Sequence, residues 1–187
     1  HAATIMDAAQ ADSSIRFIVT FGHRPAYSSG NHSGDTEWQT IMASLATSHS
    51  KYVLNLNGHS HDYERSYPQS GVVHITAGVG GQNLEAASGT CKWGGGCPPP
   101  AWSAFRAMHH VVLKLRFTNS AIEGVAYCGP DDPTRNDISC VDGAVLDTFT
   151  IQGPAQATSS SAPSVAEDTL MTAAKRRSLA PPCEFSL

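Results

Sequence analysis

The opening stretch HAATIMDAAQAD places Ile5, Met6 and Ala9 at helical spacing and predicts the end of an amphipathic helix. A short run of β-formers, IRFIVTF over 15–21, predicts a buried strand. That run stops at GHRPAYSSGNHSGD, a loop rich in Gly, Ser and Pro. Asp35 then stands where an N-cap belongs, ahead of a helix predicted over 36–48. Trp38, Ile41, Met42 and Leu45 recur at i, i+3, i+4 and i+7, which is one face of such a helix. KYVLNLN supplies the next strand. Strand, loop, helix and strand in this order predict two parallel strands covered by a helix.

Downstream the periodicity changes. GVVHITAGVGG, 71–81, reads as a strand that ends in a glycine cluster. HHVVLKLRFTNSAIEGVAYC, 109–128, alternates apolar and polar residues around TNS and predicts a β-hairpin. AVLDTFTI, 144–151, is a last strand, and the Gly/Pro-rich 85–104 is a surface loop. The fold class is therefore α/β, a βαβ unit followed by mainly antiparallel strands. From about Gly153 the chain is Ala, Ser, Thr and Pro without periodicity, so 154–187 reads as a linker or disordered tail after a domain over 1–153. No internal repeat is present.

Composition narrows the classes. With 187 residues, 41% hydrophobic and 15% charged, the chain can bury one core and is no disordered polymer. A net charge of -4 argues against nucleic acid as a partner, because the phosphate backbone demands clustered Lys and Arg. The one basic cluster, KRR at 175–177, falls in the expected tail. No apolar run approaches the ~20 residues of a membrane span, so no membrane partner is expected. The chain begins with His1, without a preceding signal peptide, and reads as a piece of a longer product.

Five cysteines suggest two local pairs, Cys91 with Cys97 and Cys128 with Cys140, with Cys183 left over. A zinc ribbon competes, although the spacings are not C-x2-C, and unpaired buried thiols are the plain alternative. Disulfides would place the chain outside the cell or in the secretory pathway.

The histidines carry the chemistry. In NLNGHSHDYERS, His59 and His61 would share one face if the strand before them continued. Imidazole suits Zn, Fe and Mn. VTFGHRPAYSS repeats the construction: an apolar strand, a glycine, then His23. In α/β sheets, sites gather outside the carboxyl ends of the strands, so parallel neighbours would bring His23, His59 and His61 around one cavity. His109 and His110 are adjacent, point to opposite faces of a strand and need not share an ion.

GHSHDYERS resembles the last metal-binding motif of the purple acid phosphatase-like metallophosphoesterases, in the calcineurin-like phosphoesterase superfamily. GHRPAY resembles the motif before it, and GVVHITAGVGGQNLE the Gly-Gly strand end that follows. The resemblance spans about 15–151 and implies the C-terminal half of a catalytic domain, part of a β-sandwich flanked by helices. It implies that His23 and His59 bind a divalent ion (Zn, Mn or Fe(II)) and that His61 binds a second, Fe(III). It implies that His32 faces the substrate phosphate, to hold a phosphoryl oxygen or help protonate the leaving group. Tyr63, Glu64 and Arg65 would be the scaffold that orients the His pair, with Arg65 buried against Glu64 or Asp62. The implied function is phosphoester hydrolysis by hydroxide generated at a dinuclear metal centre.

GVGG lacks the Lys and helix of a phosphate-binding loop and more simply lets backbone pass close to the site. The family's Gly-Asp-x-Gly, Gly-Asp-x-x-Tyr and Gly-Asn-His-Glu motifs are not in this sequence. Three imidazoles without the bridging carboxylate are a poor cage for two ions. The expected partners are a phosphoester substrate and the missing N-terminal half, and the isolated chain is expected to be inactive. The alternatives are a mononuclear three-histidine hydrolase, an inactive structural or binding module, and a fragment too incomplete to fold.

Overall fold

The computed structural model describes residues 1–154 and the strand Cys183–Ser186. Its elements run α1 Ala2–Ala11, β1 Ile18–Gly22, α2 Thr36–Ser48, β2 Tyr52–Asn57, β3 Tyr63–Ser66, β4 Val73–Ala77, β5 Ser103–Ala107, β6 Val111–Phe117, β7 Ala121–Cys128, β8 Val145–Gln152 and β9 Cys183–Ser186. The strands form two sheets. The first has the order β1-β2-β4-β3-β5, and the second β8-β7-β6-β9.

Strands β1 and β2 are parallel, as the βαβ pattern predicted; β4, expected among the mainly antiparallel strands, is instead parallel to β2, and β3 runs antiparallel between β4 and β5. The second sheet is antiparallel throughout, with the predicted hairpin at its centre. One apolar cluster joins the two sheets through Leu54, Tyr63 and Ile75 of the first and Leu113, Leu115 and Ile122 of the second. Burying each such side chain contributes about 1.5–3 kcal/mol. A Cβ at Gly124 would lie 2.0 Å from the Phe149 ring of β8, so any larger residue there would have to push that ring aside.

Four further expectations need correction. β1 begins at Ile18 and is not a buried strand: Ile18 alone is buried, and Phe21 is 64% exposed. It borders only β2 among the described strands, so one of its sides lacks a neighbouring strand. The predicted face of α2 is only half used. Met42 and Leu45 pack on a small cluster of Met6, Ile18, Tyr52 and Val72, whereas Trp38 and Ile41 are exposed. Asp35 is the N-cap, its carboxylate accepting from the amides of Glu37 and Trp38 at 2.9 and 3.1 Å.

Two strands, β3 and β5, arise where a motif and a loop were read. Their polar residues break the apolar alternation, and among the described strands β5 pairs only with β3. Residues 183–186, read as tail, pair antiparallel with β6 instead. The rest of the expected tail beyond 154 lies outside the described residues. Disulfides join Cys91 to Cys97 and Cys128 to Cys140, as the local spacing suggested.

Candidate metal centre

The parallel register sets Gly22 of β1 beside Asn57 of β2, so both strands release their chains on the same rim of the sheet. His23 follows at once, and His59 comes one glycine later. Asn57 fastens the two exits, its amide donating to the carbonyls of Gly22 and Arg24 at 3.1 and 3.0 Å. Gly58 N donates to His23 O at 3.1 Å. In consequence His23 Nε2 lies 3.0 Å from His59 Nδ1, with ring centroids 4.8 Å apart.

The strand does not continue to His61. β2 ends at Asn57, and a tight turn follows in which His59 adopts φ 70°, a left-handed conformation costly for a residue with a Cβ. The turn is fixed from inside. Ser60 and Asp62 are buried, and Ser60 Oγ donates to Asp62 Oδ2 at 2.5 Å. Burial pushes the Asp62 carboxyl up to about 7 against that hydrogen bond. Gly78, first of the glycine cluster, lets backbone pass, because a Cβ there would stand 2.0 Å from Ser60 O.

His32 stacks on His59 with centroids 4.3 Å apart, and its Nε2 is 3.2 Å from Glu85 Oε2. His61 is held elsewhere, Nδ1 donating to Asn83 O at 2.9 Å and lying 3.5 Å from Glu85 Oε1. Glu85 thus lies between His32 and His61, a position the sequence reading missed by leaving it in the loop. Its one signal is its position at the end of GVGGQNLE. A cavity of about 350 Å³ opens beside the pair, lined by Arg24, Asn31, His32 and His59 among others. A larger one, about 920 Å³, lies by Arg16, Lys51 and Gln152, away from these histidines.

The imidazole of His59 is held below its ordinary range, first by desolvation and then by the charges of His32, His23 and Arg24, with Glu85 opposing. Neutral imidazole is the form that binds metal.

The YER residues take two different sets of partners. Glu64 accepts from Ser29 N, Ser29 Oγ and Ser103 Oγ, each at 2.6 Å, and so anchors the loop that carries His32. Tyr63 and Arg65 both turn to Asp147 of β8. The Tyr63 hydroxyl donates at 2.9 Å and the Arg65 guanidinium at 2.8 and 3.0 Å. Arg65 is therefore paired across to the second sheet, not with Glu64 or Asp62 as expected.

Two ligands on one cation, each at about 2.0–2.1 Å, stand about 2.9–3.4 Å apart for angles between 90° and tetrahedral. The 3.0 Å between His23 Nε2 and His59 Nδ1, a hydrogen bond between the two rings here, falls within that range. Among the described residues no group of three His, Cys, Asp or Glu is gathered as a cage. A second ion would need donors other than these.

No family model matches the chain, and no curated protein matches it. Solved structures do. GAP50, the anchor in the inner membrane complex of Plasmodium, is 18% identical with a TM-score of 0.64, over 84% of this chain and 42% of that one. The purple acid phosphatase PPD1 from yellow lupin (Lupinus luteus) seeds is 19% identical with a TM-score of 0.52, over 81% of this chain and 28% of that one. The chain spans less than half of either neighbour. It has the mixed α/β architecture of a partial, purple acid phosphatase-like metallophosphoesterase fold.

Proposed function

We propose that this chain is the histidine-bearing part of a metal-dependent phosphoester hydrolase of the acid phosphatase type. The observation that supports this best is the 3.0 Å approach of His23 Nε2 to His59 Nδ1, outside the carboxyl ends of adjacent parallel strands of a purple acid phosphatase-like fold. His23 and His59 hold one divalent cation, Zn, Mn or Fe(II). A bound cation supplies Lewis acidity toward a phosphoryl oxygen and lowers the pKa of water.

The chain's own residues do the rest. His32, stacked on His59 at the cavity, holds a phosphoryl oxygen or gives a proton to the leaving oxygen. Glu85 keeps His32 in place, and Glu64 keeps its loop in place. Arg24 brings positive charge to the cavity where a phosphoester would lie. His61, the ligand for the second ion, Fe(III), acts only once carboxylate donors from a further segment complete that half. The two bonded cysteine pairs fit a secreted protein, and no described helix is long and apolar enough to cross a membrane.

The test is metal binding together with p-nitrophenyl phosphate hydrolysis by this chain alone. One divalent ion bound through the His23–His59 pair without turnover is expected. Metal-dependent turnover by the isolated chain would contradict the need for further ligands. Failure to bind any metal at His23 and His59 would overturn the reading and favour an inactive binding module.

A further inference from the structure

We propose that Arg106 of β5 is a positioning residue for the loop 28–34, which carries His32, and that it holds this loop against the disulfide-closed loop 91–97. The hold itself does not depend on the function proposed above. Only its bearing on phosphoester chemistry rests on that reading.

The loop SSGNHSG, 28–34, has no apolar side chain, so the hydrophobic effect cannot fix it. Yet Ser28, Ser29 and Gly30 are buried. Polar contacts and close backbone packing hold it instead. Gly95 N donates to Ser29 O at 2.9 Å. A Cβ on Gly94 would stand 2.8 Å from Asn31 Cα, and one on Gly95 2.8 Å from Ser29 O. The two loops therefore meet backbone to backbone, at a distance that glycine allows.

Arg106 bridges them. Its Nη1 donates to Ser29 Oγ and its Nη2 to Gly96 O, each at 2.9 Å. Ser29 Oγ gives its own hydrogen to Glu64, which faces Arg106 across the β3–β5 pair. The guanidinium lies over the ring of buried Trp93, 4.5 Å from the centroid. Trp93 in turn donates its indole N–H to Asp137 at 2.5 Å, and Asp137 also accepts from Met108 N at 2.8 Å. One planar fork thus links the His32 loop, the glycine run and the body of the fold.

The disulfide has a defined part. The successive glycines 94–96 lose more conformational freedom on ordering than other residues would. Cys91–Cys97 closes the loop around them and reduces the freedom they have to lose. Opening it releases the surface on which Ser29 and Asn31 rest.

The test is hydrogen–deuterium exchange of the full chain, read in peptides covering 28–34 and, for comparison, β2. The amides of Ser29, Gly30 and Gly34 are bonded to Glu64, Ser28 Oγ and Ser28 O, and they report the loop. Arg106→Gln, and the double variant Cys91→Ser with Cys97→Ser, should each speed exchange in 28–34 by about tenfold or more and leave β2 within about twofold. Arg106→Lys keeps the charge without the fork and should speed exchange likewise. In these variants the His32 ring protons, shifted by stacking on His59 with centroids 4.3 Å apart, should move toward their unfolded positions in NMR spectra. Unchanged exchange in 28–34 in either Arg106→Gln or the double serine variant overturns the proposal. So does an equal rise in β2, which marks global destabilisation, and so does unchanged exchange in Arg106→Lys. None of these readouts involves metal or turnover, so this proposal and the proposed function fail separately.

Discussion

Arg65 on β3 grips Asp147 on β8 with two parallel hydrogen bonds, at 2.8 Å from Nε and 3.0 Å from Nη2. The Tyr63 hydroxyl completes the clasp at 2.9 Å. It ties the sheet that carries the histidines to the sheet behind it. Phe149 lies beneath the guanidinium, 5.0 Å from ring centroid to Cζ.

Removing the shared acceptor should therefore cost more than removing one donor. Asp147→Ala leaves a partly buried guanidinium and a buried hydroxyl without partners, a loss of about 3–5 kcal/mol. Tyr63→Phe deletes one donor and leaves the ion pair, a loss of about 1 kcal/mol. Urea unfolding of the two variants checks the ranking. Equal costs would mean that the clasp does not act as a unit.

The turn between β2 and β3 depends on Gly78. Its Cβ would meet the Ser60 carbonyl at 2.0 Å, so Gly78→Ala must displace the backbone between His59 and His61. A stability loss of about 1–3 kcal/mol is expected, together with weaker metal binding. Gly80 is the control, because a Cβ there meets nothing within 4 Å. Gly80→Ala should be near neutral in both assays.

His74 of β4 makes stability depend on pH. Burial holds its imidazole down at about 4, and Nδ1 accepts from the Asn55 amide at 3.1 Å. The unfolded ring titrates near ~6.5, so between about 6.5 and about 4 the unfolded chain binds a proton that the native chain refuses. Stability from this group is full above ~6.5 and is lost as pH falls toward about 4, by up to roughly 3 kcal/mol. Unfolding free energies across this window should fall less steeply for His74→Gln than for the unaltered chain.

The rim was legible because short apolar runs ending in Gly-His mark strand ends. Trp38 and Ile41 show the limit of periodicity, which finds a helical face but not how much of it a sheet covers. The partners that organise the site were not legible. Asp147 is separated from Tyr63 by 84 residues, and nothing local to either residue signals the pairing. Glu85 closes a quoted motif, yet only the folded loop brings it between His32 and His61. The turn at His59 was misread because alternation along a strand is blind to where the strand stops. The buried Ser60–Asp62 hydrogen bond follows directly on its left-handed backbone.

The central claim is that His23 and His59 hold one divalent cation between them. The most direct measurement is zinc affinity by calorimetry for the full chain. His23→Ala and His59→Ala should each weaken binding at least tenfold, while His61→Ala leaves it within about twofold. Zinc affinity unchanged by both His23→Ala and His59→Ala would contradict the account.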